Sequence, residues 1–315
     1  MSDGTLADVG EFALIDRMNT GVAYPDGVIV GPGDDCAVVQ ADGQTCITVD
    51  VLIEGRHFKQ DWSTPVDIGR RAAAASLADL AAMGARPTYL VVGFGAPATL
   101  PAAWALSCTA GLRAEGEALG ASIVGGDITA ADAITISVTA LGALEGRAPV
   151  LRSGATPGDV LAVAGRLGWA AAGLAVLSRG FRAPKLLVDA HRAPQPPYAA
   201  GIDAAKAGAT AMIDVSDGLI ADVRHLADAS GVTINIETAA FAIDEALRST
   251  AAAYNVDPLE WVLTGGDDHA LAATFPAGTK LPKGWLRIGE VCEGDAQVTV
   301  NTVPIRKAGG HVHFQ

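Results

Sequence analysis

Aspartates that follow glycine pairs or end short apolar runs are the residues of this sequence best suited to chemistry. Asp34 and Asp35 follow Gly31-Pro32-Gly33, Asp50 ends the run ITVD, and Asp127 follows Gly125-Gly126. Asp214 and Asp217 lie in IDVSDG, and Asp267 and Asp268 follow Gly265-Gly266. Asp79 stands apart, because it lies in the helical stretch SLADLAAMG and is the single charged residue between Arg71 and Arg86. Gly-Asp is ordinary turn chemistry and aspartate often caps helices, so each residue alone has a bland explanation. A helix interior offers Asp79 no turn, and a buried carboxylate is costly unless it meets a cation. Taken jointly, the carboxylates point to hard divalent cations, Mg²⁺ above all, which is commonly held by one or two carboxylates together with substrate phosphates.

The electrostatics favour the same conclusion. Two unit charges about 4 Å apart at an effective dielectric near 20 interact by about 4 kcal/mol, so several bare carboxylates would repel ATP. Bound cations reverse that sign and offset the charge of two phosphates brought together, which is the central difficulty of phosphoryl transfer. The sequence has no GxxxxGK[ST] loop, no GxGxxG opening a helix, and no protein-kinase HRD or DFG set. An ATP enzyme of this sequence would therefore use carboxylate-held metals.

The elements that must position these residues alternate between strand-like and helix-like, which predicts an α/β or α+β architecture. Strands are expected at 28–30, 36–40, 46–49 and 89–94. Helices are expected at 65–83, opened by Pro65 and Asp67 and closed by Gly84, and at 101–119, closed by Gly120. Residues 122–124 lead into an expected Gly-Gly-Asp loop, followed by a strand at 133–144. The stretch GRAPVLRSGATPG at 146–158 is dense in Gly and Pro and reads as a boundary, giving domains 1–148 and 149–315. After it the pattern restarts, with strands at 160–164, 212–215, 232–236, 270–275, 286–291 and 298–300 and helices at 169–177 and 219–229. The segment FRAPKLLVDAHRAPQPPY reads as a loop-rich connector. Gly125-Gly126-Asp127 and Gly265-Gly266-Asp267 form a faint internal echo.

Composition narrows the function classes. The chain has 315 residues, half of them hydrophobic but only 5% aromatic, so the interior is expected to be tight helix-on-sheet packing with small residues at the contacts. A net charge of -13 argues against a nucleic-acid surface. Cys36, Cys46, Cys108 and Cys292 form no CxxC pair and no zinc-spaced cluster, as expected of reduced thiols in a cytoplasmic protein. The acidic N-terminus lacks an apolar signal core. The uncharged stretch 87–112 is interrupted by Pro87, Pro97 and Pro101 and reads as strand, loop and helix, so no membrane role is expected.

The order GDDCAVV, TVDVLIEGRHF, SLADLAAMGA, GGDIT, LRSGATPGD, IDVSDGL and TGGDDHAL resembles the thiamine-monophosphate kinase family, collinearly from about Gly10 to the C-terminus. That family belongs to a superfamily of ATP-dependent enzymes related to aminoimidazole ribonucleotide synthetase. The resemblance implies a two-domain α/β chain, a homodimer formed through the N-terminal sheet, and an active site in the cleft between domains. It implies transfer of a phosphoryl group from ATP to thiamine monophosphate, with several Mg²⁺ ions. By motif, Asp35, Asp50, Asp79, Asp127, Asp214 and Asp217 match metal-binding carboxylates, and Thr48 and Val49 fall at metal-contacting positions. Val49 has no side-chain oxygen, so a contact there uses its carbonyl. Gly126, Asp127, Arg152 and Ser216 match nucleotide-binding positions. His57, Asp267 and His311 match acceptor-contacting positions, Asp267 where the family often has Glu and His311 where an aromatic is common. No residue is assigned as a catalytic acid or base.

Other readings have their own signatures. A selenophosphate synthetase would want a Cys in a glycine-rich N-terminal segment, and none of the first 35 residues is Cys. A hydrogenase-maturation relative would want a C-terminal Cys, whereas this chain ends HVHFQ. A non-catalytic nucleotide binder would bind without turnover, and a phosphate hydrolase would need no acceptor.

Overall fold

The computed structural model describes residues 4–31, 37–41 and 43–305, so Asp34, Asp35, Cys36 and His311 lie outside the described residues. The chain divides into two compact units, Met1–Leu80 with Arg86–Gly146, and Ala81–Ala85 with Arg147–Gln315.

The first unit holds the short helices α1 (Leu6–Val9) and α2 (Glu11–Asn19) and a small antiparallel pair, β1 (Val28–Val30) and β2 (Val38–Val39). Its main sheet has four strands, β3 (Thr45–Ile53), β4 (Arg86–Ala96), β5 (Ser122–Ala130) and β6 (Thr135–Ala143), in the order β3-β6-β4-β5. The pairs β3/β6 and β6/β4 are antiparallel and β4/β5 is parallel. Two helices complete the unit, α3 (Pro65–Ala82) and α4 (Ala102–Glu117).

Thr64 and Asp67 open α3 reciprocally. The Thr64 N–H and hydroxyl donate to Asp67 Oδ2 at 3.0 and 2.7 Å, and the Asp67 N–H donates back to Thr64 Oγ1 at 3.2 Å, a capping box before Pro65. The alanines of α3 favour helix and leave room for close approach. A Cβ on Gly69 would sit 2.0 Å from the Cys108 carbonyl oxygen, and one on Gly111 2.1 Å from that of Val66, so α3 and α4 touch backbone to backbone. This is the small-residue packing that the low aromatic content suggests.

The second unit is built on a seven-stranded sheet of β7 (Val160–Ala164), β8 (Ala211–Val215), β9 (Thr233–Ile236), β10 (Ala270–Phe275), β11 (Trp285–Cys292), β12 (Gln297–Val300) and β13 (Val303–Pro304). Their order is β13-β12-β9-β11-β7-β10-β8, antiparallel throughout except for β12/β9. Its helices are α5 (Trp169–Ser178), α6 (Lys185–Arg192), α7 (Tyr198–Lys206), α8 (Leu219–Ser230), α9 (Glu245–Tyr254) and α10 (Pro258–Thr264). Leu161, Val163, Ile213 and Val215 point into one core with α8, while Ala162, Ala164 and Met212 point into another with Ala81, Ala82 and Ala204. Central strands covered on both faces read as continuous apolar runs, as β7 (VLAVA) does.

Two expectations need correction. Gly125, Gly126 and Asp127 do not form a loop: they run inside β5, with Val92 opposite Gly126 and Gly93 opposite Asp127. A Cβ on Gly126 would lie 2.0 Å from the Val92 carbonyl oxygen, so this glycine permits close strand approach. The expected connector at 181–198 contains helix α6, whose backbone lies so close to α5 that a Cβ on Gly173 would meet the Leu187 carbonyl oxygen at 2.1 Å. Its prolines flank the helix rather than break it.

Candidate active site

In the first unit the site begins on edge strand β3. Strand alternation sends Thr48 and Asp50 to one face and Val49 to the other. Ser76 and Asp79, three residues apart on one face of α3, meet the first pair. Thr48 Oγ1 donates to Asp79 Oδ2 at 2.6 Å, and Ser76 Oγ lies 2.8 Å from Asp50 Oδ2 and 2.9 Å from the Val138 carbonyl oxygen. The single Ser76 proton serves one of these acceptors at a time. The odd charge in the helix is thus explained, because Asp79 is half-buried and faces a hydroxyl donor rather than hydrocarbon.

Asp127 is exposed on β5, at the opposite edge of the sheet. Two strands separate it from β3, so Asp50 and Asp127 stand roughly 14 Å apart across the sheet at ordinary strand spacing. Among the described residues no lysine or arginine forms an ion pair with Asp50 or Asp127. No group of three or more His, Cys, Asp or Glu side chains gathers closely enough among them to hold a metal by itself. Thr48, Asp50 and Asp79 near one edge and Asp127 at the other offer only oxygen donors, a chemistry that fits Mg²⁺, but at that separation Asp50 and Asp127 fit separate ions whose remaining ligands water or phosphate would supply.

Val49 is 57% exposed and its side chain turns away from Thr48 and Asp50. His57 sits in the turn after β3, where its Nδ1 accepts the Ile53 N–H at 3.0 Å. That bond puts the imidazole proton on Nε2, which is then a hydrogen-bond donor.

The second unit builds its part at the end of β8. Asp214 closes toward His269, whose Nδ1 lies 3.1 Å from Asp214 Oδ2. The chain then turns through Ser216, Asp217 and Gly218 into α8. Asp222 holds that turn, its Oδ2 accepting the N–H groups of Asp217 at 3.0 Å and Gly218 at 3.1 Å. Burial, with the charge of Asp214 next, pushes the Asp222 carboxyl up to about 7.

The stretch 265–269 lies along the same turn. The Asp267 N–H donates to the Ser216 carbonyl at 2.8 Å and the His269 N–H to that of Val215 at 3.1 Å. Asp267 and His269 both adopt left-handed backbone, with φ of 67° and 51°. A Cβ on Gly266 would lie 2.1 Å from the Ser216 carbonyl oxygen, so no larger residue fits. Asp268 turns inward and caps α5 from a distance, accepting the Trp169 and Ala170 N–H groups at 2.9 Å each. Its burial pushes the carboxyl up to about 7 despite those two donors.

The structure therefore brings Asp214, Ser216, Asp217 and Asp267 together in one unit and Thr48, Asp50 and Asp79 in the other. Arg152 is exposed on the loop before β7, which Ser230 ties down by accepting the Gly154 and Ala155 N–H groups at 3.1 Å. Sequence reasoning missed Ser76, Asp222 and His269, and singled out Asp268 only as one of the candidate carboxylates. Each acts on a partner far away in sequence or through backbone N–H groups, and no motif announces such a contact.

Two α/β units with carboxylates held at strand ends and edges define a class. Residues 33–144 match the family described as AIR synthase related protein, N-terminal domain, and residues 156–300 match AIR synthase related protein, C-terminal domain. Within that class the chain belongs to the thiamine-monophosphate kinase family. It is 52% identical to the thiamine-monophosphate kinase of Mycobacterium tuberculosis over 94% of this chain and 89% of that protein. Among solved structures, the thiamine-monophosphate kinase of Stenotrophomonas maltophilia superposes with a TM-score of 0.83 at 31% identity, covering 94% of this chain and 98% of that one. The protein designated AaThiL, solved in complex with AMPPCP and TMP, superposes with a TM-score of 0.78 at 31% identity, covering 97% of this chain and 98% of that one.

Proposed function

We propose that this chain phosphorylates thiamine monophosphate to thiamine diphosphate at the expense of ATP, by Mg²⁺-dependent, direct in-line transfer. The observation that carries this reading is the set of oxygen donors on β3 and α3. Thr48 Oγ1 donates to Asp79 Oδ2 and Ser76 Oγ lies 2.8 Å from Asp50 Oδ2, so hydroxyls orient both carboxylates in a chain of the thiamine-monophosphate kinase family.

Residues 1–148 supply Asp35, Thr48, Asp50, Asp79 and Asp127 as metal donors, with Val49 contributing through its carbonyl. Residues 149–315 supply Asp214 and Asp217. When bound, Mg²⁺ neutralises the phosphates and allows donor and acceptor to approach. Gly126 gives the nucleotide access to the backbone, Ser216 offers a hydroxyl, and the exposed Arg152 offers a planar pair of donors to phosphate oxygens. His57, Asp267 and His311 hold the acceptor. The acceptor phosphate is already ionised at neutral pH, so the site requires no general base. The chain contributes mainly position and charge.

A homodimer and a cytoplasmic location complete the proposal. On the face of β3 turned away from α3, Ile47, Val49 and Val51 are 68%, 57% and 45% exposed, and Val91 of β4 is also exposed. A row of apolar side chains on one sheet face is a surface that a second copy would cover. Among the described residues no helix is long and apolar enough to cross a membrane.

The test is a product assay with purified protein and Mg-ATP, with thiamine monophosphate, free thiamine or no acceptor in parallel. Thiamine diphosphate formed from the monophosphate alone, with equal ADP, is the expected result. ADP release without acceptor would indicate a hydrolase, and a trapped phospho-enzyme would exclude direct transfer. Sedimentation at graded concentration tests the dimer, and Val49→Asp is expected to shift it toward monomer.

A further inference from the structure

We infer that His269 is a positioning residue for Asp214: its imidazole fixes which carboxylate oxygen is presented to the cation. This inference rests on the metal role proposed above for Asp214. It extends that role to a residue of TGGDDHAL that has no role assigned above.

The geometry is specific. Asp214 and His269 are only 5% and 7% exposed, so water does little to orient the carboxylate. His269 Nδ1 lies 3.1 Å from Oδ2, and because a carboxylate only accepts, Nδ1 carries the proton. The backbone that carries the imidazole is itself fixed, since the His269 N–H donates to the Val215 carbonyl and the residue adopts φ of 51°. A carboxylate free to rotate about its last bond would present either oxygen, or both. One donor fixed at Oδ2 sets the plane and distinguishes Oδ1 as the oxygen for the cation. On the far side of the turn, Asp222 pins the Asp217 and Gly218 N–H groups, so the segment from Asp214 to Gly218 is held at both ends. Partners that orient ligating groups in this way typically change metal affinity by about 10–100-fold when removed.

The experiment is Mn²⁺ binding followed by electron paramagnetic resonance, in the presence of a non-hydrolysable ATP analogue, with the Mg²⁺ dependence of turnover measured alongside. Wild type, His269→Ala, His269→Asn, His269→Gln and Asp214→Asn are compared. Asparagine tolerates left-handed backbone, and its amide nitrogen occupies the place of Nδ1, whereas the glutamine amide lies one methylene further out. His269→Ala is expected to weaken the Asp214-dependent Mn²⁺ site about tenfold or more, and His269→Asn to recover it to within about threefold. The Mg²⁺ needed for half-maximal turnover should move in step, with kcat at saturating Mg²⁺ affected less.

Unchanged Mn²⁺ affinity in His269→Ala, with Asp214→Asn impaired, overturns this inference alone. Unchanged affinity in Asp214→Asn overturns the metal assignment with it. Should the alanine variant fail to fold, the comparison rests on the two amides. Asparagine near wild type with glutamine weak supports the inference, and equal behaviour of the two contradicts it.

Discussion

The two Gly-Gly-Asp elements of this chain share three residues and almost nothing of their backbone. Gly125-Gly126-Asp127 runs extended inside β5, and Asp127 is exposed at a sheet edge. Gly265-Gly266-Asp267 leaves the end of α10 and turns, with Asp267 in left-handed conformation. What they have in common is the second glycine. At both, a Cβ would fall about 2 Å from a backbone oxygen, that of Val92 at 2.0 Å in one case and that of Ser216 at 2.1 Å in the other. The shared letters mark a close backbone approach that delivers an aspartate, rather than a repeated fold element.

The carboxylates around the two elements are also supported differently. In the first unit hydroxyls hold Asp50 and Asp79 at half-buried positions. In the second, buried carboxylates depend on an imidazole and on backbone N–H groups.

The sharpest way to break this comparison is to change the two aspartates. Asp127→Asn removes a proposed cation ligand and is expected to lower turnover by about 100-fold or more with little change in melting temperature, whereas Asp267→Asn should chiefly raise KM for thiamine monophosphate. Steady-state kinetics on both variants separates these roles, and equal effects on kcat would erase the distinction. Next in size are the glycines. Gly126→Ala and Gly266→Ala should each cost about 1–3 kcal/mol of stability, read from urea denaturation, because the clash is with backbone and cannot be relieved by a rotamer.

A smaller effect separates the buried carboxylates from the half-exposed ones by pH. Burial lifts Asp268 to about 7, against about 4 in an unfolded chain. The folded protein therefore retains a proton there that the unfolded chain releases. That contribution is fully present below about pH 4 and is lost as pH rises through about 7. Asp268→Asn should flatten the decline in melting temperature between about pH 4 and 7. A variant curve parallel to wild type would contradict the assignment. Smallest of all, Ser76→Ala removes one hydroxyl donor from Asp50 and should cost on the order of 1 kcal/mol.

Much of the fold was legible because strand and helix periods are clean here. Val160–Ala164, Ala270–Phe275 and the α3 helix lie where alternation, apolar runs and caps place them. The stretch 181–198 was not legible. Its prolines suggest a loop, and α6 is recovered only when the α5 backbone at Gly173 is there to pack against. Asp50, Asp79 and Asp214 could be found as candidates from residue type and spacing. Their supports could not, because His269 reaches Asp214 across 55 residues and Asp268 reaches Trp169 across 99. Contacts of that range are made by folding and leave no local pattern.

We propose that Asp50 and Asp214 each serve a cation-dependent phosphoryl transfer. The most direct test is the rate of thiamine diphosphate formation by wild type, Asp50→Asn and Asp214→Asn across a Mg²⁺ titration, with the melting temperature of each recorded. Both variants are expected to stay folded, and neither is expected to regain normal turnover at saturating Mg²⁺. Near-normal turnover in either one would contradict it.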